Sequence, residues 1–183
     1  MFSAQVEEGL ELRLLEPRHA EALFNLVDRN REHLSYWLPF VERTRAVEDT
    51  EAYLQKKLEQ FAKGNGFQVG VWHSGELAGL VQLHYISSRF RNTEMGYWLG
   101  ADYEGRGIAT KACRHVITYL FEERNLNRIN IRCSEKNLRS RKIPERLGFT
   151  LEGRLRQMGY TKDGLTDYLV YGLLKDEWQK GQP

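Results

Sequence analysis

The chemistry of this sequence is most visible in the ten residues from Tyr103 to Ala112, YEGRGIATKA. Gly105 and Gly107 are separated by a single arginine, and apolar residues at helical spacing follow at once. Glycines let the backbone adopt dihedral angles that other residues avoid, and the first N–H groups of a helix have no internal acceptor. A turn of this kind binds anions, and Lys111 and Arg114 would add positive charge. The stretch therefore predicts a phosphate-binding corner.

Two well-known nucleotide-binding patterns do not fit this corner. Gly100 and Gly105 have the spacing of P-loop glycines, but the Lys-Ser/Thr pair that must follow is absent. The dinucleotide fingerprint fails because Thr110 stands where its last glycine belongs. From these residues alone, a tight strand-to-helix turn with solvated basic side chains is as acceptable as a binding site.

The elements around the corner follow from the period of the apolar residues. Alternation predicts strands at 10–16, 67–73, 77–86, 92–100, 128–134, 150–161 and 166–175. Helical spacing predicts helices at 18–38, 46–66, 109–121 and 137–149. The order indicates an α/β fold with a mixed, mostly antiparallel central sheet flanked by helices, rather than a doubly wound parallel sheet.

Composition limits the class of protein. The chain has 183 residues, 41% of them hydrophobic, and a formal net charge of +2. No repeat, linker or low-complexity tract divides it, so residues 1–183 are expected to form one domain. The charge is too small for a broad nucleic-acid surface, and no apolar run approaches the ~20 residues that span a bilayer. The acidic beginning excludes a secretory signal, so we expect a cytoplasmic protein with no nucleic-acid or membrane partner.

The two cysteines, Cys113 and Cys133, lie outside any C-x-x-C pattern and have no histidine cluster beside them. We therefore expect two reduced, buried thiols and no metal site.

Several short segments together resemble one family. EGRGIA is similar to the Q/R-x-x-G-x-G/A acetyl-CoA loop of the GNAT N-acetyltransferase superfamily, with Glu104, Gly107 and Ala109 at its defined positions. Downstream, NLRS and RLGF resemble the N-x-x-S and x-L-G-F elements of the ribosomal-protein N-terminal (serine/alanine) acetyltransferase branch. The order of helices and strands also matches, so the resemblance covers nearly the whole chain and implies a GNAT fold.

The resemblance implies acetyl-CoA as cofactor and CoA as product. It assigns the pyrophosphate and pantetheine contacts to Trp98, Leu99, Gly105, Arg106, Gly107, Ile108, Ala109, Thr110, Lys111 and Asn137. Lys111 and Arg114 would neutralise phosphates, while the backbone of Trp98 and Leu99 would meet the pantetheine arm. Glu104 departs from the family because Gln or Arg is usual there. We expect its carboxylate to face away from the pyrophosphate and to pair with a basic side chain.

The implied reaction is attack of an amine on the thioester. Many family members use a glutamate on the strand before the loop as base, directly or through water, which here is Glu94, with Asp102 and His84 as weaker options. Glu94 could equally be a surface residue paired across strands. A backbone N–H near Trp98 or Leu99 would stabilise the oxyanion if this strand diverges from the next one.

The usual tyrosine acid is absent, because Pro144 occupies its position. Ser140 is the expected substitute, although a serine beside Asn137 could instead be a helix cap. Proline cannot donate a helical N–H to the Ser140 carbonyl, so the segment is either kinked there or forms a regular helix only from Pro144 onward.

The amine that accepts the acetyl group is the least defined part of the reaction. Tyr36 and Trp37 in SYWLPF fall where the family builds its acceptor cleft, although such aromatics could instead cap the core. The leading hypothesis is acetyl transfer to the N-terminal α-amine of a ribosomal protein. The alternatives are a polyamine or other small-molecule amine as acceptor, and a non-catalytic acyl-CoA-binding module. A homodimer is implied by analogy alone.

Overall fold

The computed structural model describes residues 3–181. Its eight strands are β1 (Ser3–Glu7), β2 (Leu10–Leu14), β3 (Gln68–His73), β4 (Glu76–Ser87), β5 (Asn92–Leu99), β6 (Arg128–Ser134), β7 (Thr150–Thr161) and β8 (Gly164–Leu174). Its six α-helices are α1 (Ala20–Arg29), α2 (Arg31–Ser35), α3 (Val47–Ala62), α4 (Ile108–Glu122), α5 (Leu138–Arg146) and α6 (Lys175–Lys180). Short 3-10 helices cover Pro17–His19, Pro39–Glu42 and Ala101–Tyr103. None of the helices within 3–181 has the length and apolar character to cross a membrane.

The strands form one sheet in the order β1-β2-β3-β4-β5-β6-β8-β7. In the part of the chain that the structure describes, every neighbouring pair is antiparallel except β5 and β6, which run parallel. The sheet is therefore mixed and mostly antiparallel with helices around it, which confirms the predicted fold class.

Apolar side chains cover both faces of the sheet. On one face, Met95 of β5 packs in a cluster with the buried stripe of α4, which includes Cys113 and Ile117. On the other face, Trp98 of β5 joins a second cluster with α1 and α3, where Leu54 is fully buried. Alternate residues of β5 thus belong to different layers, as the period of a strand requires.

Two elements at the ends of the chain were not predicted. β1 precedes the predicted first strand and pairs with β2 through a turn at Gly9, whose φ is +73°. At the other end, the predicted last strand stops at Leu174, and α6 begins instead. The Leu174 N–H donates to Glu177 Oε2 at 2.9 Å, and Trp178 is buried beside Phe121.

The helix predicted for 18–38 is broken at Asn30, between α1 and α2. The Asn30 side chain uses both of its polar atoms there. Its Nδ2 donates to the Leu26 carbonyl at 2.9 Å, and its Oδ1 accepts from the Ala101 N–H at 2.9 Å. The break therefore links the end of α1 to the loop that leaves β5. Gly100 makes the link possible, because a Cβ there would lie 3.0 Å from Asn30 Nδ2.

Helix α5 begins at Leu138, with Asn137 as its N-cap, and continues through Pro144 to Arg146. The alternative that a regular helix forms only from Pro144 onward is therefore wrong.

Candidate active site

A gap in the sheet opens between β5 and β6. The two strands pair only from Asn92 with Arg128 to Glu94 with Asn130, and then each continues without the other. At the same level β4 carries a bulge, because its register with β5 shifts between Leu83 and Tyr85. A bulge bends a strand and increases its twist, which accounts for the divergence of β5 from β6. The backbone edge of β5 beyond Glu94 is consequently free for a ligand, as oxyanion stabilisation would require.

A cleft of about 780 Å³ lies at the open end of this gap. The residues around it come from β5, from the loop after β5, from α2 and the residues that follow it, from the beginning of α4 and from the length of α5. The cleft contains these residues from the predicted set: Trp37, Trp98, Leu99, Gly105, Gly107, Ile108, Ala109, Thr110, Asn137 and Ser140. Arg106, Lys111, Glu94 and Tyr36 are not among its lining residues.

The glycine corner has the backbone geometry that the sequence predicts. Gly105 has φ +74° and Gly107 has φ +77°, both in the left-handed region that side chains disfavour. Gly107 is the N-cap of α4 and provides no capping side chain, and no acidic residue stands in the first turn. The N–H groups of 108–110 therefore begin the helix without an internal acceptor and border the cleft. Such a helix start is an anion site.

The two cations expected at this corner lie elsewhere. Lys111 Nζ is 2.7 Å from Glu7 Oε1 of β1, and the Arg114 guanidinium lies over the Trp178 ring at 5.6 Å. The reason is the rotation of α4, whose buried face carries Ala112 and leaves Lys111 and Arg114 on its outer side. Neither side chain lines the cleft in this structure, and their contact with phosphates stays a prediction.

Helix α5 and the residue before its N-cap bring the cations to the cleft instead. Lys136, Arg139, Lys142 and Arg146 all line it. Their spacing of three, three and four residues places them on one side of a helix, which is the signal in the sequence that could have revealed them. The cleft thus has backbone donors on one wall and cations on the other.

Glu104 reaches across the mouth of this cleft. One carboxylate oxygen is 2.9 Å from His33 Nε2 of α2, and the other forms an ion pair with Arg139 of α5. The expected pairing with a basic side chain is confirmed. Glu104 also lines the cleft, and the expectation that its carboxylate faces away from the pyrophosphate stays a prediction. Its charge is offset by Arg139, which limits its repulsion of an anionic ligand.

Asn137 and Ser140 form the N-terminal cap of α5. The Ser140 N–H donates to Asn137 Oδ1 at 3.0 Å. The Ser140 hydroxyl lies 3.4 Å from the Tyr97 hydroxyl and also contacts the Cys133 thiol. Burial raises the pKa of Cys133 to about 11, so this thiol stays protonated near neutral pH. Ser140 is therefore both a cap residue and a hydroxyl on the wall of the cleft.

Tyr97 is a site residue that the sequence did not reveal. Its hydroxyl donates to the Ser140 carbonyl at 2.8 Å, so it joins β5 to α5 across the gap. Burial raises the pKa of Tyr97 well above its ordinary value, which keeps the hydroxyl a donor.

Glu94 lies at the last paired position of β5, on the face of the sheet opposite Tyr97. Its carboxylate is 2.9 Å from Arg132 Nη2 of β6, and its side chain is only 13% exposed. The alternative of an ion pair across strands is thus realised. His84, in the β4 bulge, lies beside it, and a Cβ on Gly96 would be 2.9 Å from His84 Nε2.

The electrostatics around His84 favour a neutral imidazole. Burial lowers the pKa of His84 below the ordinary histidine value, and Lys57 and Arg132 act in the same direction. The Glu94 carboxylate opposes them. A neutral imidazole over the free edge of β5 is in a state to accept a proton.

The predicted acceptor residues separate in the structure. Trp37 lines the cleft, whereas the Tyr36 hydroxyl donates to Asp163 in the turn between β7 and β8. The two rings pack edge to face, with centroids 4.5 Å apart. Tyr36 therefore anchors α2 to the β7–β8 hairpin and acts on the cleft only through Trp37.

Comparison with known proteins agrees with this geometry. The family model for the acetyltransferase (GNAT) domain matches residues 9–150. YdaF of Bacillus subtilis (strain 168), which carries a provisional assignment as a ribosomal N-acetyltransferase, is 40% identical over 180 residues, 98% of each chain. Spermidine N(1)-acetyltransferase of Escherichia coli (strain K12) is 29% identical over 147 residues, 80% of this chain and 76% of that protein.

A solved structure is similar over almost its whole length. RimL, a ribosomal L7/L12 alpha-N-protein acetyltransferase in complex with coenzyme A, superposes with a TM-score of 0.91 at 26% identity, covering 94% of this chain and 97% of that one. Because the family model spans most of the chain and the cleft has the groups that acetyl-CoA requires, the chain belongs to the GNAT family and is an acetyl-CoA-dependent N-acetyltransferase.

Proposed function

We propose that the acceptor is the N-terminal α-amine of a protein, with ribosomal proteins as the first candidates. The observation that carries this proposal is the charge on the face of the gap that holds Glu94 and His84, which we call the acceptor face. There the Glu94 carboxylate is neutralised by Arg132, and a histidine with a lowered pKa stands over Gly96. A polycationic acceptor would need unpaired carboxylates, whereas an α-amine with a pKa near ~8 needs only a modest base.

The relatives support the same acceptor without establishing it. YdaF and RimL both carry ribosomal-protein descriptions, whereas the more distant spermidine enzyme shows that the same fold also serves small amines. The basic cleft belongs to the cofactor, so it does not discriminate between these acceptors.

For the cofactor, we assign the pyrophosphate to the amides of 108–110 and the phosphates to the cations of α5. The backbone of Trp98 and Leu99 on the free edge of β5 holds the pantetheine arm, and Asn137 meets the arm from the opposite wall. Acetyl-CoA supplies the activated acetyl thioester. The cofactor thus occupies the face of Tyr97 and Ser140, and the acceptor approaches from the face of His84.

For the transfer, we assign the proton of the attacking amine to His84, with Glu94 beside it as the group that raises its basicity. The amine nitrogen forms a bond to the carbonyl carbon, and the C–S bond breaks with its electron pair left on sulfur. Ser140 donates a hydrogen bond to that sulfur, which takes up a proton from water, while the nitrogen loses its proton to His84. Because a free thiol has a pKa of ~8.5, this hydrogen bond assists the step without being indispensable.

The test is acetyl transfer to a panel of acceptors, followed by thiol release and product mass. The panel contains peptides beginning with Ser or Ala, the same peptides with a blocked N-terminus and an internal lysine, and spermidine. We expect transfer to the free peptides and none to the blocked ones. A higher kcat/KM for spermidine than for every peptide would overturn the proposal.

A further inference from the structure

Helix α5 contains a proline, Pro144, one helical turn after the cleft residue Ser140. Pro144 has no N–H, so the hydrogen bond that residue 144 normally gives to the carbonyl of residue 140 cannot form. That carbonyl belongs to Ser140, whose side chain stands on the wall of the cleft. A partly buried carbonyl without its donor destabilises the fold, and here it would also loosen the turn that presents Ser140.

The structure supplies a replacement donor from another element. The Tyr97 hydroxyl of β5 lies 2.8 Å from the Ser140 carbonyl oxygen, which is a normal hydrogen-bond length. Since burial raises the pKa of Tyr97, the hydroxyl keeps its proton over the working pH range. The bond joins the two sides of the gap at the level of the cleft.

The same bond also orients the Ser140 side chain. The proton of Tyr97 is committed to the carbonyl, so toward the Ser140 hydroxyl, 3.4 Å away, Tyr97 presents only lone pairs. Cys133, on the other side of Ser140, remains a thiol. The Ser140 hydroxyl donates to the Tyr97 oxygen over this long distance, and its proton can turn from there toward a departing sulfur. Cys133 is not among the residues that line the cleft.

We propose that the Tyr97 hydroxyl replaces the N–H that Pro144 lacks, and that it thereby positions Ser140 for its hydrogen bond to the leaving thiolate. Tyr97 is thus a positioning residue, because it acts through Ser140 rather than on the substrate. The positioning of Ser140 for catalysis rests on the proposed roles in transfer, but the exchange of donors between Tyr97 and Pro144 does not.

The test is a double-mutant cycle with Tyr97→Phe and Pro144→Ala in the full chain. Tyr97→Phe removes the hydroxyl and keeps the ring, while Pro144→Ala restores the helical N–H. We expect Tyr97→Phe to lower the folding equilibrium constant about tenfold in the Pro144 background, because the Ser140 carbonyl then has no donor from either residue. In the Pro144→Ala background the loss should shrink to about threefold or less.

Activity provides the second readout. Tyr97→Phe should lower kcat about tenfold with a nearly unchanged KM for acetyl-CoA, and Pro144→Ala should recover most of that loss. Hydrogen exchange of the amides of 141–146 should accelerate in Tyr97→Phe and slow again in the double variant. A purely structural role of the ring would show no such rescue.

Tyr119→Phe is the matched control. Its hydroxyl, on α4, contacts only the Arg124 guanidinium at 3.4 Å among the described hydrogen bonds, so its effect should be equal in both backgrounds. Equal losses for Tyr97→Phe with proline and with alanine at 144 would overturn the proposal, as would failure of both Tyr97→Phe proteins to fold. If no acceptor is acetylated at all, the proposed function fails. The double-mutant cycle on folding stability still tests whether Tyr97 replaces the missing N–H of Pro144.

Discussion

The two faces of the gap between β5 and β6 differ in the groups that they present. One face has the amides of 108–110 and several cations, and the other has the Glu94–Arg132 ion pair and the His84 imidazole. The first face is electropositive and broad, with four basic residues along its cleft. The second is close to neutral, because Glu94 is paired with Arg132 and His84 is uncharged. The difference supports the proposed division of tasks, in which charge holds the cofactor and a weak base takes the proton of the amine.

The largest effect is expected on the acceptor face. His84→Ala should lower kcat about 100-fold, because it removes the proposed proton acceptor, and should leave the Kd for acetyl-CoA unchanged. Steady-state kinetics and calorimetry measure the two quantities. His115→Ala, on α4, is the control and should change neither. A loss of acetyl-CoA affinity in His84→Ala would mean that the two faces are not separate.

On the cofactor face, Gly107→Val should weaken acetyl-CoA binding about 30-fold, because a branched residue at φ +77° strains the corner and displaces the amides of α4. Calorimetry with acetyl-CoA measures this loss. Gly64→Val provides the same strain at φ +69° in the turn after α3, also with open space around its Cβ. Gly64→Val should lower the stability of the protein and leave its affinity for acetyl-CoA unchanged. An equal loss of affinity in Gly64→Val and Gly107→Val would contradict a binding role of the Gly107 corner.

Smaller effects on acetyl-CoA affinity are expected for two lysines, one on the cleft wall and one outside the cleft. Lys142→Ala, on the cleft wall, should weaken acetyl-CoA binding about threefold, and less at high salt. Lys111→Ala should change the affinity by less than about twofold, since Lys111 is paired with Glu7. The reverse order of these two effects would show that Lys111 leaves Glu7 when the cofactor binds.

The smallest expected effect is a shift of a pH profile. The Glu94 carboxylate raises the pKa of His84, while Lys57 and Arg132 lower it. Glu94→Gln should therefore lower that pKa, so the acid limb of kcat should move to lower pH. A shift to higher pH would contradict the proposal. A loss as large as that of His84→Ala would identify Glu94 itself as the base.

The cofactor corner could be predicted from sequence because its chemistry is in the backbone. The spacing of Gly105 and Gly107 before an apolar helical stripe is sufficient to specify a turn with free N–H groups, whatever surrounds it. The direction of Lys111 could not be predicted in the same way. Its partner, Glu7, lies on a strand of polar alternation that gave no clear signal, and the rotation of α4 is set by packing.

The acceptor face was less accessible to sequence reasoning for a different reason. The pairing of Glu94 with Arg132 depends on the register of two parallel strands far apart in the chain. The position of His84 depends on a bulge that no residue type marks. Likewise, Pro144 revealed that a donor was missing, but only the fold could show that Tyr97 provides one.

Asn30 has a consequence for redesign of the enzyme. Its side chain fixes the end of α1 to the Ala101 N–H, and this bond to the cofactor loop uses no side chain of α2. A graft of segment 31–38 that keeps His33, the partner of Glu104, and Tyr36, the partner of Asp163, would leave the links to the cofactor loop and to the β7–β8 hairpin in place. A graft that begins after Asn30 should transfer acceptor preference while acetyl-CoA affinity stays that of the recipient.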